Sequence, residues 1–338
     1  MKRRGWMVIG GLALIVIAWV VPLLGQSGTG STKAPSAKNW KAPHTPWGHP
    51  DLQGIWNNGN AMTPLERPSD LADREFLSDE EWAARAREVA TRAEADKRPA
   101  DPLADVGLAY NNEWWDRGVP LKRTSMIIDP PNGKLPPLTA EGQKRVAARD
   151  AARRQHGPAD SWEDRSLQER CLLYHGVPPF PTGYNNNYLI VQTPDAVAIR
   201  YEMLTETRVI ALDGRPHLGP GIRSWMGNAR GHWEGDTLVV ETTNYNNQTT
   251  FRSFPASNET LRVIERFRRI SDDQIDYQFT VDDPTMYTRP WTAVLPMAKV
   301  KGPIFEYACH EGNYGMMNLL SGHRAQEKAK GPSGTQEK

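Results

Sequence analysis

From Tyr188 onward, apolar and polar residues alternate with a period of two. Val197, Ile199, Tyr201 and Met203 share one face, opposed by Arg200 and Glu202. Ile275, Tyr277, Phe279 and Val281 share another, opposed by Asp276, Gln278, Thr280 and Asp282. This period belongs to strands with one dry and one wet face. It predicts strands over Tyr188 to Thr193, Ala196 to Met203, Thr207 to Leu212, Gly231 to Glu234, Asp236 to Tyr245, Thr260 to Ile270, Gln274 to Asp282, Thr288 to Met297 and Ile304 to Cys309. Pro194-Asp195, Asp213-Gly214, Gly235 and Asp272-Asp273 supply the turns. Short strands at this spacing predict an antiparallel β-barrel or sandwich. Around eight of them with a dry interior can close on one small ligand.

Within this pattern Glu265 breaks the rule. Leu261, Val263, Glu265, Phe267 and Arg269 share the more apolar face of their strand. An inward carboxylate needs a partner, and the expectation is an Arg or a Tyr inside the barrel. The alternative leaves Glu265 at the rim, in water.

Upstream, residues 51–170 read as loops and helices. Ser78 with Glu81 forms a capping box, and a helix is expected from Asp79 to about Lys97, before Pro99. A second runs from about Ala140 to Gln155 and stops at Gly157-Pro158. The β domain is placed at 171–325, and 326–338 is expected to be a disordered tail. The fold class is therefore mainly β with N-terminal helices.

The first 25 residues read as an export signal or a membrane anchor. Lys2, Arg3 and Arg4 precede an almost wholly apolar run from Trp6 to Leu24. Basic residues stay on the cytoplasmic side, so the chain beyond is translocated. The run is longer than the ordinary core of a cleaved signal and close to a bilayer span. Cleavage after Ser27 and retention as an inner-membrane anchor both stay open. Residues 26–50, rich in Gly, Ser, Thr, Lys and Pro, are expected to form a flexible tether carrying His44 and His49 as surface residues.

Composition narrows the partners. The 338 residues carry a net charge of +1, three of the positive charges lying at the extreme N-terminus. No basic field attracts nucleic acid. Twelve Trp, 28 Gly and 27 Pro argue against a helical bundle. The two cysteines, Cys171 and Cys309, are a disulfide candidate in an oxidising compartment, with buried thiols as the alternative.

Several motifs support a resemblance. Pro50-Asp51-Leu52-Gln53-Gly54-Ile55-Trp56 opens the chain beyond the tether. Asp213-Gly214-Arg215-Pro216-His217, Trp225-Met226-Gly227, and Gly231-His232-Trp233-Glu234-Gly235-Asp236-Thr237-Leu238-Val239-Val240-Glu241-Thr242 follow. Leu261 to Phe267 and Tyr287-Thr288-Arg289-Pro290-Trp291 complete the run. It resembles a large family of exported bacterial proteins of uncharacterised function, which implies export and a β-rich domain and transfers no activity. Gly54-Ile55-Trp56 also resembles the G-x-W of the first lipocalin strand, where the Trp closes the barrel end.

Candidate chemistry gathers in two segments. Asp213 to Trp233 holds His217, Arg223, Trp225 and His232. Arg grips carboxylates or phosphates, and His moves protons near neutral pH. The bland reading makes these residues a turn, an ion pair and core. His310, Glu311 and Tyr314 follow the last expected strand, and His beside a carboxylate suits general acid/base work. The proposed disulfide would bring His175 near His310, and with Glu311 these make a conceivable metal facial set. No zinc spacing, Gly-rich phosphate loop, G-x-S-x-G or H-E-x-x-H occurs, so no cofactor and no metal is assigned.

The sequence thus predicts a periplasmic or membrane-tethered β-barrel that binds a small, partly apolar molecule. His217, His232, His310 and Glu311 are the catalytic candidates, and Arg223, Trp225, Glu265 and Tyr314 the ligand-binding ones. His217, Arg223, His232, His310 and Glu311 are expected to share one cleft, with Trp225 as its wall. The alternatives are an extracytoplasmic acid/base enzyme and a structural envelope protein.

Overall fold

A computed structural model describes residues 40–59, 63–92, 100–102, 104, 116, 118 and 120–330. The basic and apolar N-terminal segment lies outside them. Among the described residues no helix is long and apolar enough to cross a membrane.

The strands are β1 (Gly54–Asn57), β2 (Ile127–Asp129), β3 (Asn187–Gln192), β4 (Ala196–Tyr201), β5 (Thr207–Ala211), β6 (Asn228–Glu234), β7 (Thr237–Thr243), β8 (Arg262–Arg269), β9 (Gln274–Asp282), β10 (Trp291–Val294) and β11 (Met297–Val300). Nine of them close into a mixed barrel in the order β1-β3-β4-β5-β6-β7-β8-β9-β11, with β11 returning to β1. Closure rests on the length of β9. Its first residues pair with β11 (Ile275 with Met297), and its last with β10 (Val281 with Trp291). β10 and β2 therefore extend the sheet beyond the ring.

All neighbours in the ring are antiparallel except β5 and β6, which meet in parallel at Ala211 and Arg230. A parallel neighbour needs a crossover, and residues 212–227 supply it along the outside. Gly231 on β6 is required beside it. A Cβ there would lie 2.7 Å from Ile210 Cγ2 and 2.9 Å from Leu212 Cδ2.

The alternation holds. β9 buries Ile275, Tyr277, Phe279 and Val281, and β4 buries Val197, Ile199 and Tyr201. Outward residues of β6 to β9 pair by charge, as Arg262 does with Glu241 and Asp282, and Arg266 with Glu234.

Helices flank the barrel. α1 (Asp79–Arg92) carries its expected capping box, with Ser78 N donating to Glu81 at 2.8 Å and Glu81 N to Ser78 Oγ at 3.2 Å. The stretch from 93 to 99, expected to continue it, lies outside the described residues. α2 (Ala140–Arg154) starts at Thr139, whose hydroxyl accepts from Gly142 N.

Five sequence expectations need correction. Thr288 to Met297 divides into β10 and β11, so that one stretch serves both partners of β9. Ile304 to Cys309 is not a strand, because the closed ring offers it no edge. The segment crosses the outside, where Phe305 N donates to Glu202 at 2.9 Å. α3 (Gly315–Lys330) runs into the expected tail, with Gly315 N capped by Asn313. Residues 41–50 are not free tether. Ala42, Thr45 and Pro50 are buried, and the His49 ring packs tilted against Trp233, with centres 5.3 Å apart. β1 puts part of the presumed loop and helix region inside the barrel ring.

Those N-terminal residues seal one barrel end. Trp56 is wholly buried, and its indole N–H donates to Leu52 O at 2.8 Å. The Arg269 guanidinium lies 5.6 Å from its ring centre and donates to the carbonyls of Asp51, Ser271 and Asp272. The Gln192 amide holds Leu52 N and Pro50 O.

Candidate functional site

The polar centre of the molecule lies inside the barrel. Inward positions of β5 and β8 bring Arg208 and Glu265 together, although β6 and β7 stand between them in the sheet. Arg208 Nη1 is 2.6 Å from Glu265 Oε2, and Nη2 is 2.7 Å from Oε1. The Tyr277 hydroxyl donates to Glu265 Oε1 at 2.8 Å. Glu265 is thus inward and meets both an Arg and a Tyr. Burial pulls the Arg208 pKa down, and the carboxylate more than offsets this, so its net shift is upward. Burial raises the pKa of Tyr201, Tyr245 and Tyr277, keeping all three phenols protonated.

Aromatic rings surround this centre. Phe267 lies 4.6 Å from Tyr277, and Tyr188 meets Tyr201 edge-on at 4.9 Å. Looser contacts complete the centre: Tyr201 meets the Arg208 side chain, Thr242 the Tyr245 hydroxyl, and His175 the Asn185 backbone.

The second barrel end is plugged by residues 174–186. Val177 and Phe180 join the core, and Phe180 packs on Phe279 at 5.5 Å. The Tyr245 hydroxyl donates to Val177 O at 3.3 Å. Glu206, just before β5, accepts the backbone N–H groups of Tyr174, His175 and Gly176. Gly176 has φ +65°, a conformation glycine adopts freely, which turns successive amides toward one carboxylate. Burial nevertheless raises the Glu206 pKa to about 7.

His175 points inward. Its Nδ1 lies 2.9 Å from Phe180 O, and the ring also meets the Asn185 backbone. Burial lowers its pKa to about 4, keeping it neutral. A cleft of about 250 Å³ opens over the plug, lined by Leu65, Met126, Phe180 and Arg252 among others.

Cys171 and Cys309 form a disulfide that ties the plug's upstream end to the C-terminal segment. It does not bring His175 to His310. His175 is buried in the barrel, while His310 and Glu311 are exposed, so the facial set does not assemble. Tyr314 is 67% exposed.

The Asp213 to Trp233 candidates are on the outside. His217 bridges Asn228 and Glu241, at 3.3 and 3.2 Å. Arg223 donates to the carbonyls of Pro220, Tyr245 and Asn258, holding loops together. Trp225 is half-buried beside Thr249, whose hydroxyl bonds its carbonyl. His232 points outward from β6 and pairs with Glu234 at 3.1 Å. It lies four positions along β6 from Asn228, roughly 13 Å of strand. Among the described residues no hydrogen bond or ion pair joins these side chains to His310 or Glu311.

Arg208, Tyr201, Thr242 and Glu206 were not among the expected site residues. The signal for Arg208 was present, since it shares an inward face with Ile210 by the same alternation that marked Glu265. Comparison with family models, with curated proteins and with solved structures returned no match.

Proposed function

We propose that this chain is an exported β-barrel protein that binds a small, partly apolar molecule inside its aromatic walls. The observation that carries this reading is the Arg208–Glu265 pair with Tyr277, enclosed at the centre of a closed barrel. A buried ion pair is commonly no more stabilising than apolar residues of the same volume. Stability alone does not explain its position, whereas ligand sites characteristically set a few polar groups in an apolar wall. Access runs through the plugged end, beneath the cleft over Phe180.

Export is supported by the basic and apolar N-terminal residues, by the resemblance to exported bacterial proteins, and by a disulfide of the kind that persists in oxidising compartments. Whether residues 5–24 remain as an inner-membrane anchor belongs to the same proposal.

Acid/base catalysis at the plugged end is a second reading. One observation favours it: a carboxyl raised to about 7 at Glu206 beside a neutral His175.

Native mass spectrometry of the full chain, purified from the envelope fraction of its expression host, tests binding. The expected result is a bound mass of a few hundred daltons, released on unfolding and lost in Glu265→Leu/Arg208→Met. A ligand-free spectrum, with no Trp fluorescence change across a panel of small aromatic compounds, would overturn it.

A further inference from the structure

A group of metal-ligating side chains sits away from the barrel interior, where α3 meets the loop after α2. His323 and Glu327 lie four positions apart on α3, so they share one face of the helix, a turn apart. Asp160 reaches them from a remote part of the chain. One ligand atom from each of the three residues lies within 4.8 Å of the others.

Local bonds position these groups. The Asp160 carboxylate accepts Gly157 N at 2.6 Å. Glycine permits this approach, since a Cβ at 157 would lie 2.4 Å from Asp160 Oδ1. Arg324 ties the loop to the helix. Its Nη2 donates to the carbonyls of Ala159 and Asp160, and its Nη1 to both Glu327 oxygens at 2.7 Å. A carboxylate has about four lone-pair positions, so Glu327 keeps acceptor capacity beyond these two bonds. Ligating carboxylates are ordinarily held by an outer hydrogen-bond partner of this kind.

The spacing suits a small divalent ion. Zinc holds His nitrogen and carboxylate oxygen at about 2.0–2.2 Å in a tetrahedron, which sets ligand atoms roughly 3.3 Å apart. His323 Nε2 and Glu327 Oε1 are already 3.5 Å apart. Asp160 is exposed, and a small rotation of its side chain closes the remaining distance. An imidazole among only three protein ligands favours a transition ion over calcium or magnesium, which take more oxygens. The two carboxylates outweigh the single charge of Arg324, leaving the cluster net negative toward a cation.

We propose that Asp160, His323 and Glu327 form a three-ligand site for a divalent transition cation of the zinc class, which clamps α3 to the loop after α2. Three protein ligands leave a coordination position for water. The site is separate from the barrel interior and stands independently of what the barrel binds.

Calorimetry on the untagged full chain, stripped with a chelator and titrated with zinc chloride, tests it. One equivalent of zinc is expected to bind. His323→Ala and Asp160→Asn should each weaken binding by more than about tenfold, the least that losing even an outer partner costs. Neither residue belongs to the core, and Glu327→Gln provides a third comparison if one of them does not fold. Zinc should also slow amide hydrogen exchange along α3 in the parent and leave it unchanged in His323→Ala. No binding, or binding equally tight in the parent and the variants, would overturn the site. Loss in His323→Ala with full retention in Asp160→Asn would also overturn it, since the pair on α3 would then hold the ion without the loop.

Discussion

Arg208 and Glu265 grip one another through two parallel bonds, of 2.6 and 2.7 Å, across 57 positions of sequence. Their strands are not neighbours in the sheet, so the pair spans the barrel interior. Truncating one partner leaves an uncompensated buried charge, which typically costs about 3–5 kcal/mol. Glu265→Ala should therefore lose stability on that scale in urea unfolding. Replacing both, as Arg208→Met with Glu265→Leu, should restore most of it. A double variant no more stable than Glu265→Ala would show that the pair holds the barrel together, and would weaken the case for a binding role.

Arg269 makes a different kind of contact at the sealed end. It donates to three main-chain carbonyls and lies over the Trp56 ring. Lys cannot reproduce a planar fork with this many donors. Arg269→Lys should cost about 2 kcal/mol through its unpaired carbonyls. Its contacts are carbonyls and a ring, with no exposed carboxylate among them. The loss should accordingly be nearly the same at low and high salt. A loss that shrinks strongly with salt would contradict this account.

The disulfide between Cys171 and Cys309 closes a loop with a sequence separation of 138. Long loops lose most entropy on closure, and removing such a bridge costs about 2–5 kcal/mol. Cys171→Ser/Cys309→Ser should lower the urea midpoint accordingly. The amides of Tyr174 to Gly176, just beyond Cys171, should then exchange hydrogen faster than those of β8 and β9. Uniform acceleration across the barrel would mean that the bridge does not act on the plug.

Legibility followed periodicity. The alternation of β4, β8 and β9 was strong enough to give strands, faces and even the inward Glu265. Its partner carried the same signal, an inward position shared with Ile210, but the five residues of β5 set that alternation out less plainly. The plug has no period at all. Its conformation depends on Glu206, on Tyr245 and on a disulfide, all remote in sequence. Clustering of His217, Arg223 and His232 along the chain was misleading for a related reason. Alternation on β6 turns His232 outward, and the crossover before it runs outside the barrel. β1 was legible only through the Gly54-Ile55-Trp56 motif, since four residues carry too little pattern.

Two buried groups at the plugged end titrate in opposite senses, which predicts a pH profile. Burial raises the Glu206 pKa from 4.5 to about 7, so the folded protein holds this proton more tightly than the unfolded chain. Its contribution is fully present below pH 4.5 and is lost as pH rises toward about 7. Burial lowers the His175 pKa from 6.5 to about 4, so the folded protein resists that proton. Its contribution is present above pH 6.5 and is lost as pH falls toward about 4. Each shift corresponds to roughly 3 kcal/mol at the full span. Between pH 4.5 and 6.5 the two slopes oppose each other, and this pair should leave stability nearly flat. Single variants should expose each slope. Relative to the parent, Glu206→Gln should gain stability with rising pH across this window, as only His175 remains. His175→Asn, which retains a donor for Phe180 O, should instead lose stability with rising pH. Urea midpoints measured at half-unit steps read both slopes directly. Profiles parallel to the parent in both variants would show that neither group titrates in the folded barrel. A slope change in Glu206→Gln alone would place the plug's pH response on the carboxylate that holds its three amides.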